Sequence, residues 1–245
     1  MRRALRAVLW SMAGLVLLYG TTAVVLFVLM GRSNLVAGKT LALVPGPAFA
    51  LLPMERMWCQ ARKGDLAVGQ AAPDFELAAR DGSGRVRLSS VRQEKPVVLV
   101  FASYTCPPFR REMPGVRKVY EDYRDRAAFY FVYIEEAHAR DVWPLESNVR
   151  DKVVYSTPQD LAERTGLATT CAKAMQIDFP MLVDDVDNSV ARAYTAWPTR
   201  FYVVGRDGRI AFKSRPGPFG FEAAPVRKAL AELLPSPAGS PAGTP

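Results

Sequence analysis

The chain has 245 residues, of which 49% are hydrophobic and 23% charged, a composition that supports a buried core and excludes a largely disordered chain. Its formal net charge is +8, but residues 1–64 carry +7 of this total and the rest of the chain only +1. Because the basic excess lies in the N-terminal arm, we expect no nucleic-acid-binding face on the folded part.

The first predicted element is a membrane-spanning helix within residues 1–31. No charged residue occurs from Ala7 to Gly31, and a helix of that length covers roughly 37 Å, enough to cross a bilayer. A cleaved signal peptide is the alternative, but the apolar run is too long and lacks a nearby cleavage site. The arginines before the run favour a single-pass anchor in a bacterial inner membrane, with the domain on the periplasmic side.

Residues 32–64 are predicted to be a juxtamembrane linker. The segment from Leu41 to Met54 is apolar again, but Pro45, Pro47 and Pro53 exclude a second spanning helix. Two alternatives stay open for this segment. It lies along the lipid surface, or it is a buried extended segment.

The soluble domain, residues 65–234, is predicted to begin with a β-hairpin around Asp81-Gly82-Ser83-Gly84. The continuous apolar run VVLVFAS after Pro96 then predicts a central strand covered on both faces. Apolar residues at spacings of four and three follow, which places them on one stripe of a helix. They are Phe109, Met113, Val116, Tyr120 and Tyr123. Pro114 should kink or split this helix.

The remaining elements continue an alternating pattern. We predict a buried strand at 127–134, a helix at 159–175, a strand at 181–185, a helix at 188–194, a hairpin over 201–213 and a helix at 222–234. This order predicts an α/β fold, a thioredoxin-like mixed sheet with helices on both faces. The last residues, 235–245, are predicted to be a disordered tail.

Three cysteines, Cys59, Cys106 and Cys171, are too few and too scattered for a disulfide framework or a metal site. Cys106 lies where the central strand meets the helix. There the helix N-terminus and free backbone N–H groups, with Arg110 and Arg111, are expected to lower the thiol pKa and make the sulfur nucleophilic. An inert buried thiol is the alternative.

Phe109 occupies the position where a CxxC oxidoreductase carries its second cysteine, three residues after Cys106, which excludes a dithiol cycle of that kind. Cys171 is left open as a resolving thiol, the alternative being an ordinary core cysteine. We expect no redox part for Cys59 beside the membrane.

His138 is the only histidine, and it follows the carboxyl end of a predicted central strand, where open α/β sheets build their sites. Glu135 and Glu136 precede it, and a carboxylate near the imidazole is expected to fix its tautomer and supply a proton relay. A surface or structural histidine is the alternative.

Further on, Trp197-Pro198-Thr199 resembles a cis-proline corner that faces the active cysteine. An ordinary trans turn is the alternative.

Three stretches resemble the iodothyronine deiodinases: VFASYTCPPF, YIEEAHARDVW and FYVVGRDGRIAFKSRPGPFGFEAAPVRKALAELL. The resemblance covers roughly Pro96 to Leu234, and an N-terminal membrane anchor also resembles that family. It implies that Cys106 occupies the position of the family's selenocysteine nucleophile. It further implies proton delivery by His138 and Glu136.

Other site residues follow from the same resemblance. Ser103 and Thr105 match the hydroxyl residues before the nucleophile. Pro198 and Phe109 are assigned to the substrate site, and Arg215 either holds a substrate carboxylate or is an exposed charge. Sulfur in place of selenium implies slower turnover, because a thiol is less ionised than a selenol at neutral pH.

The resemblance implies reductive deiodination of an aromatic substrate, with no cofactor besides an external thiol reductant or a thioredoxin-like protein. A peroxiredoxin-like thiol peroxidase, whose thiolate attacks a peroxide, is one alternative. A non-catalytic thioredoxin-like module is another, and it predicts that Cys106→Ser leaves function intact. A homodimer is left open.

Overall fold

The computed structural model describes residues 1–234, so the predicted tail at 235–245 lies outside the described residues. The chain divides into two units, and the second begins at Lys63. The first unit is helical, with α1 at Arg2–Met30, α2 at Asn34–Ala42, α3 at Gly46–Leu51 and α4 at Met54–Ala61. By its length and composition, helix α1 is long and apolar enough to cross a membrane.

The extended alternative for Leu41 to Met54 is wrong, because α2 and α3 occupy most of this segment. Its prolines stand where helices begin. Pro45 and Pro53 are the N-caps of α3 and α4, and Pro47 lies in the first turn of α3. The N–H groups at the start of a helix have no acceptor within the helix, so proline is tolerated there. The prolines therefore divide the segment into short helices without preventing helix formation.

The second unit contains the sheet and its flanking helices. Its strands are β1 at Glu76–Ala79, β2 at Arg85–Arg87, β3 at Val97–Ala102, β4 at Ala128–Tyr133, β5 at Met181–Val183, β6 at Arg200–Val204 and β7 at Ile210–Lys213. Its helices are α5 at Leu88–Val91, α6 at Pro107–Tyr123, α7 at Glu146–Arg150, α8 at Leu161–Ala174, α9 at Ser189–Ala193 and α10 at Ala223–Leu233.

The sheet has the order β2-β1-β5-β4-β3-β6-β7. Strand β3 pairs in parallel with β4 and antiparallel with β6, and β7 continues from β6 as an antiparallel hairpin. This βαβ unit followed by a ββα unit is the predicted thioredoxin-like arrangement, which is confirmed. Every residue of β3 is buried, as its continuous apolar run predicted.

Helix α6 buries the predicted stripe against the sheet. Phe109, Met113 and Val116 are inaccessible to solvent, and the Phe109 ring meets Phe131 of β4 edge-on at 5.2 Å between centroids. Burial of such side chains stabilises the packing by about 1.5–3 kcal/mol each. The helix is continuous through Pro114, so the predicted split does not occur. Helix α7 was not predicted, because its five residues are too few for a periodic pattern.

Candidate active site

Cys106 lies at the junction of β3 and α6, as the sequence predicts. It is the N-cap residue of α6, and the nearby backbone N–H of Phe109 lowers the pKa of its thiol. Its own N–H donates to the Ser103 carbonyl at 3.2 Å, closing the turn that leads out of the strand. The junction therefore aims a helix N-terminus at the thiol.

The expected lowering of the Cys106 pKa is wrong. The residue is only 1% exposed, and burial raises the pKa of its thiol to about 12. The Phe109 N–H and the guanidinium groups of Arg110 and Arg111 act in the predicted direction, but desolvation outweighs them, and the Glu136 carboxylate raises the pKa further. In this structure the sulfur is a protonated, covered thiol.

Glu136 is the centre of a buried hydrogen-bond network. Its Oε2 accepts from the Thr105 hydroxyl at 2.6 Å and from the Thr105 N–H at 3.0 Å, and its Oε1 accepts from the Tyr133 hydroxyl. Burial raises the Glu136 pKa, and the bonds from Thr105 and Tyr133 oppose that rise. Tyr133 was missed by the sequence analysis, although it is the last residue of β4, three positions before Glu136.

Ser103 and Thr105 join the ends of the two parallel strands. The Ser103 hydroxyl accepts from the Ala137 N–H at 2.9 Å, and the Thr105 hydroxyl accepts from the His138 N–H at 3.0 Å. Both hydroxyls therefore position the segment that carries Glu136 and His138. The structure thus places these four polar residues in one buried network at the same sheet edge as Cys106.

The imidazole of His138 is held by a carbonyl. Its Nδ1 lies 3.2 Å from the Trp143 carbonyl oxygen, and the Trp143 ring covers it at 4.3 Å between centroids. A carbonyl only accepts, so we assign the proton to Nδ1, which leaves Nε2 as a proton acceptor. Glu136 bonds to Thr105 and Tyr133, so the Trp143 carbonyl, rather than this carboxylate, holds the tautomer.

His138 is uncharged at neutral pH. The residue is buried, and burial lowers the imidazole pKa to about 4. The bond to the Trp143 carbonyl opposes this effect, and the positive charge of Arg110 adds to it. The resting site therefore combines a neutral thiol with a neutral imidazole.

Arg110 ties the loop before the cysteine to α7. Its guanidinium donates to the Tyr104 carbonyl at 2.9 Å, to Asn148 Oδ1 at 3.0 Å and to Asp151 Oδ2 at 2.6 Å. The Asn148 amide donates in turn to the Thr105 carbonyl at 2.9 Å. Because the arginine side chain is only 11% exposed, its charge acts on the neighbouring thiol and imidazole with little screening by water.

The substrate-contact predictions have mixed support. The Trp197–Pro198 peptide bond is cis, as the corner predicted. Phe109 packs fully buried in the core, so its side chain contributes no substrate-facing surface in this structure. Arg215 is exposed after β7, and its hold on a substrate carboxylate stays a prediction.

Cys171 lies on α8 and is fully buried in the same apolar cluster as Cys106, both as free thiols. Burial raises the Cys171 pKa well above its ordinary value. Its part as a resolving thiol stays a prediction. Cys59 lies on α4 of the first unit, and its side chain is a thiol rather than half of a disulfide.

Fold and site define a thioredoxin-like protein with a single cysteine at the start of the helix that follows the central strand. Two solved structures share this fold: a hypothetical protein from Sinorhizobium meliloti, 22% identical with a TM-score of 0.52, and a thiol:disulfide interchange protein from a Bacteroides species, 16% identical with a TM-score of 0.51. The match to the first structure covers 70% of this chain and 86% of the Sinorhizobium protein. The match to the second covers 71% of this chain and 93% of the Bacteroides protein. At these identities the likeness shows the fold alone.

The chain belongs to the iodothyronine deiodinase family, because the sequence profile of that family matches residues 15–234. A thyroxine 5-deiodinase from Gallus gallus is 35% identical over 163 residues, which are 65% of this chain and 60% of that protein. A type I iodothyronine deiodinase from Xenopus laevis is 29% identical over 169 residues, 69% of this chain and 64% of that protein. The chain thus matches somewhat less than two thirds of the length of these relatives.

Proposed function

We propose that the protein is a membrane-anchored, thiol-dependent oxidoreductase that removes iodine reductively from an aromatic substrate, with Cys106 as the nucleophile. The observation that carries this proposal is the position of Cys106 at the start of α6, beside the buried network of Thr105, Glu136 and His138. Family membership supports the reaction class. The reductant is an external thiol or a thioredoxin-like protein.

The neutral resting pair suggests how the proton is handled. His138 Nε2 accepts the Cys106 proton as the sulfur attacks iodine, so that an S–I bond forms and the C–I bond breaks. The electron pair left on the ring carbon takes the proton from the imidazolium, which returns to its neutral form. The thiol and the aryl iodide thus yield a sulfenyl iodide and the deiodinated arene, and sulfur loses the two electrons that carbon gains.

Two equivalents of external thiol complete the cycle. The first attacks the sulfenyl iodide of Cys106 and releases hydrogen iodide, leaving a mixed disulfide. The second attacks that disulfide, restores the Cys106 thiol and leaves as the oxidised reductant. Because the thiol is 1% exposed, the substrate has to displace the side chains that cover it before the first step.

The test is iodide release by the full-length protein in detergent, with dithiothreitol as reductant and an iodothyronine as substrate. We expect Cys106→Ser to abolish release and His138→Ala to reduce it by about 10²–10⁴-fold, the usual contribution of a proton-transfer group. Cys59→Ser is the matched control and should keep full activity. Consumption of hydrogen peroxide without iodide release would overturn the proposal in favour of a thiol peroxidase.

Membrane attachment by α1 is a separate part of the proposal. The anchor spans a bacterial inner membrane, and the arginine cluster before it holds the N-terminus in the cytoplasm. The catalytic unit then lies on the periplasmic side. An alkaline phosphatase fused after Leu234 should be active with this topology, and an inactive but expressed fusion would refute it.

A further inference from the structure

We propose that residues 40–54 form a re-entrant segment, which enters the hydrocarbon core of the membrane beside α1 and leaves on the side where it entered. The acyl chains of one lipid leaflet then contact the exposed apolar surface of this segment. This inference rests on the proposed role of α1 as a membrane anchor. All the contacts that carry it lie within the first unit, residues 1–62.

A hydrogen bond sets the depth of the segment. The Tyr19 hydroxyl donates to the Leu51 carbonyl at 3.0 Å. Tyr19 is close to the middle of the uncharged run from Ala7 to Gly31. It precedes Met30, the last residue of α1, by a distance of about 16 Å along the helix axis. The end of α3 therefore lies near the midpoint of the membrane span, within reach of one tyrosine side chain.

Both ends of the linker are held at the end of α1 instead. The Arg62 guanidinium donates to the Arg32 carbonyl at 3.1 Å, to the Met30 carbonyl at 3.5 Å and to the Asn34 side-chain oxygen. Asn34 begins α2 and Arg62 follows α4. The chain thus leaves the end of α1, runs back along it to the level of Leu51 and returns.

The composition of the segment suits lipid. No charged residue occurs between Lys39 and Glu55. Leu43 is 84% exposed at the end of α2, and Leu51 is 73% exposed at the end of α3. Such large exposed leucines at the turns of a hairpin are unfavourable in water and favourable against acyl chains. Lys39, exposed in the last turn of α2, has a side chain long enough to place its charge at the headgroups.

The backbone of the turns is also suited to the hydrocarbon core, where an unpaired N–H or carbonyl group raises the free energy. Prolines at positions 45, 47 and 53 have no N–H to satisfy. The Val44 N–H donates to the Leu41 carbonyl at 3.2 Å, and the Met54 N–H donates to the Leu52 carbonyl at 2.7 Å. The Leu51 carbonyl, at the end of a helix, receives the Tyr19 hydroxyl.

The depth separates this proposal from attachment at the lipid surface. A helix lying in the interface buries its apolar face by about 5–10 Å. The distance from Met30 back to Tyr19 is about 16 Å along α1, which is half of a hydrocarbon core of about 30 Å. Contact with Tyr19 therefore requires insertion of the segment rather than adsorption.

The test is electron paramagnetic resonance on the full chain in vesicles of phosphatidylcholine and phosphatidylglycerol. The three native cysteines are replaced by serine, and one nitroxide is attached at a time through Leu43→Cys, Leu51→Cys, Leu18→Cys or Val68→Cys. Leu18 on α1 is the reference inside the span, and Val68 in the second unit is the aqueous reference. Both reference positions are exposed, at 64% and 61%. The measurement compares collisions with oxygen, which dissolves in lipid, and with a water-soluble nickel chelate.

We expect the oxygen-to-nickel ratio at position 51 to match that at position 18, and the ratio at position 43 to lie well above that at position 68. Nickel collisions at 43 and 51 equal to those at 68 would overturn the proposal, because the segment would be in water. Protection from both reagents would also overturn it, because protein would then cover the segment. If the label at 18 is itself accessible to nickel and alkaline carbonate extracts the protein, the anchor fails and the inference fails with it.

A second variant tests the hydrogen bond. Tyr19→Phe removes the donor to the Leu51 carbonyl without changing the apolar ring. We expect the ratio at position 51 to fall toward the aqueous value while the ratio at position 18 stays constant. An unchanged ratio at 51 would overturn the argument for the depth of the segment, because the Tyr19–Leu51 hydrogen bond would then not set its position.

Discussion

The charge state of His138 makes the second unit, residues 63–234, sensitive to mild acid. Burial lowers its pKa to about 4, against 6.5 for an exposed histidine. Between pH 6.5 and pH 4 the imidazole is protonated in the unfolded chain but neutral in the folded chain. The free energy of unfolding therefore decreases as pH falls through this range. The two pKa values differ by about 2.5, which corresponds to about 3 kcal/mol once the window is crossed. From pH 7 to pH 5 the loss is about 2 kcal/mol.

Two carboxyl groups act in the opposite direction over the same range. Burial raises the pKa of Asp184 to about 6 and also raises that of Glu136, so protonation of these groups favours the folded state as pH falls. The pH dependence of the unfolding free energy of the wild-type protein is therefore a sum of opposing effects. The contribution of His138 is isolated by the difference in unfolding free energy between the wild type and His138→Gln, a polar side chain of similar size that does not titrate.

The assay is urea-induced unfolding of the full chain in detergent, followed by tryptophan fluorescence at pH 7, 6 and 5. We expect the stability of the wild type relative to His138→Gln to fall by about 2 kcal/mol from pH 7 to pH 5. Because the chain has one histidine, NMR of a protein with a histidine-free tag reports the same group directly. A folded-state titration midpoint near 6.5, or a stability difference independent of pH, would refute the reasoning.

Three further outcomes follow from the site. Cys106 should resist alkylation by iodoacetamide at pH 8 in the folded protein and react readily in urea, as measured by mass spectrometry, because burial raises its pKa to about 12. At pH 10, Arg110→Met should slow the alkylation of Cys106 more than Arg111→Met does, because Arg110 lowers the thiol pKa more than Arg111. Equal alkylation rates in the two variants would contradict this prediction. Thr105→Val should destabilise the fold by about 1–3 kcal/mol in urea unfolding, because the Glu136 carboxylate loses its hydroxyl donor, whereas Thr105→Ser should stay near wild type.

The fold was predictable because each signal is local. The apolar run of Val97–Ala102 and the stripe beginning at Phe109 belong to single elements, and their order along the chain restricts the topology to few choices. The site was predictable only as a set of residues. The Thr105–Glu136 bond joins positions 31 residues apart, and the Asn148–Thr105 bond joins positions 43 apart. No spacing along the sequence indicates either contact.

The thiol pKa shows why local chemistry gave the wrong sign. The helix N-terminus and Arg110 both lower the Cys106 pKa, and both could be identified from neighbouring residues. Desolvation depends instead on all the side chains that tertiary packing brings around the sulfur. The sequence around Cys106 says nothing about whether those side chains cover it, so a prediction from the motif alone counts the stabilising charges and omits the larger opposing effect.

The resting pKa values also constrain the proposed reaction. Moving a proton from a thiol of pKa about 12 to an imidazole of pKa about 4 costs about 11 kcal/mol before the two new charges attract each other. A turnover of about 10 s⁻¹ allows a total barrier of only about 16 kcal/mol. Complete ionisation before the chemical step would leave little of that barrier for breaking the carbon–iodine bond. Proton transfer from Cys106 to His138 therefore has to accompany the attack on iodine, or substrate entry has to admit polar groups that lessen the desolvation of both residues.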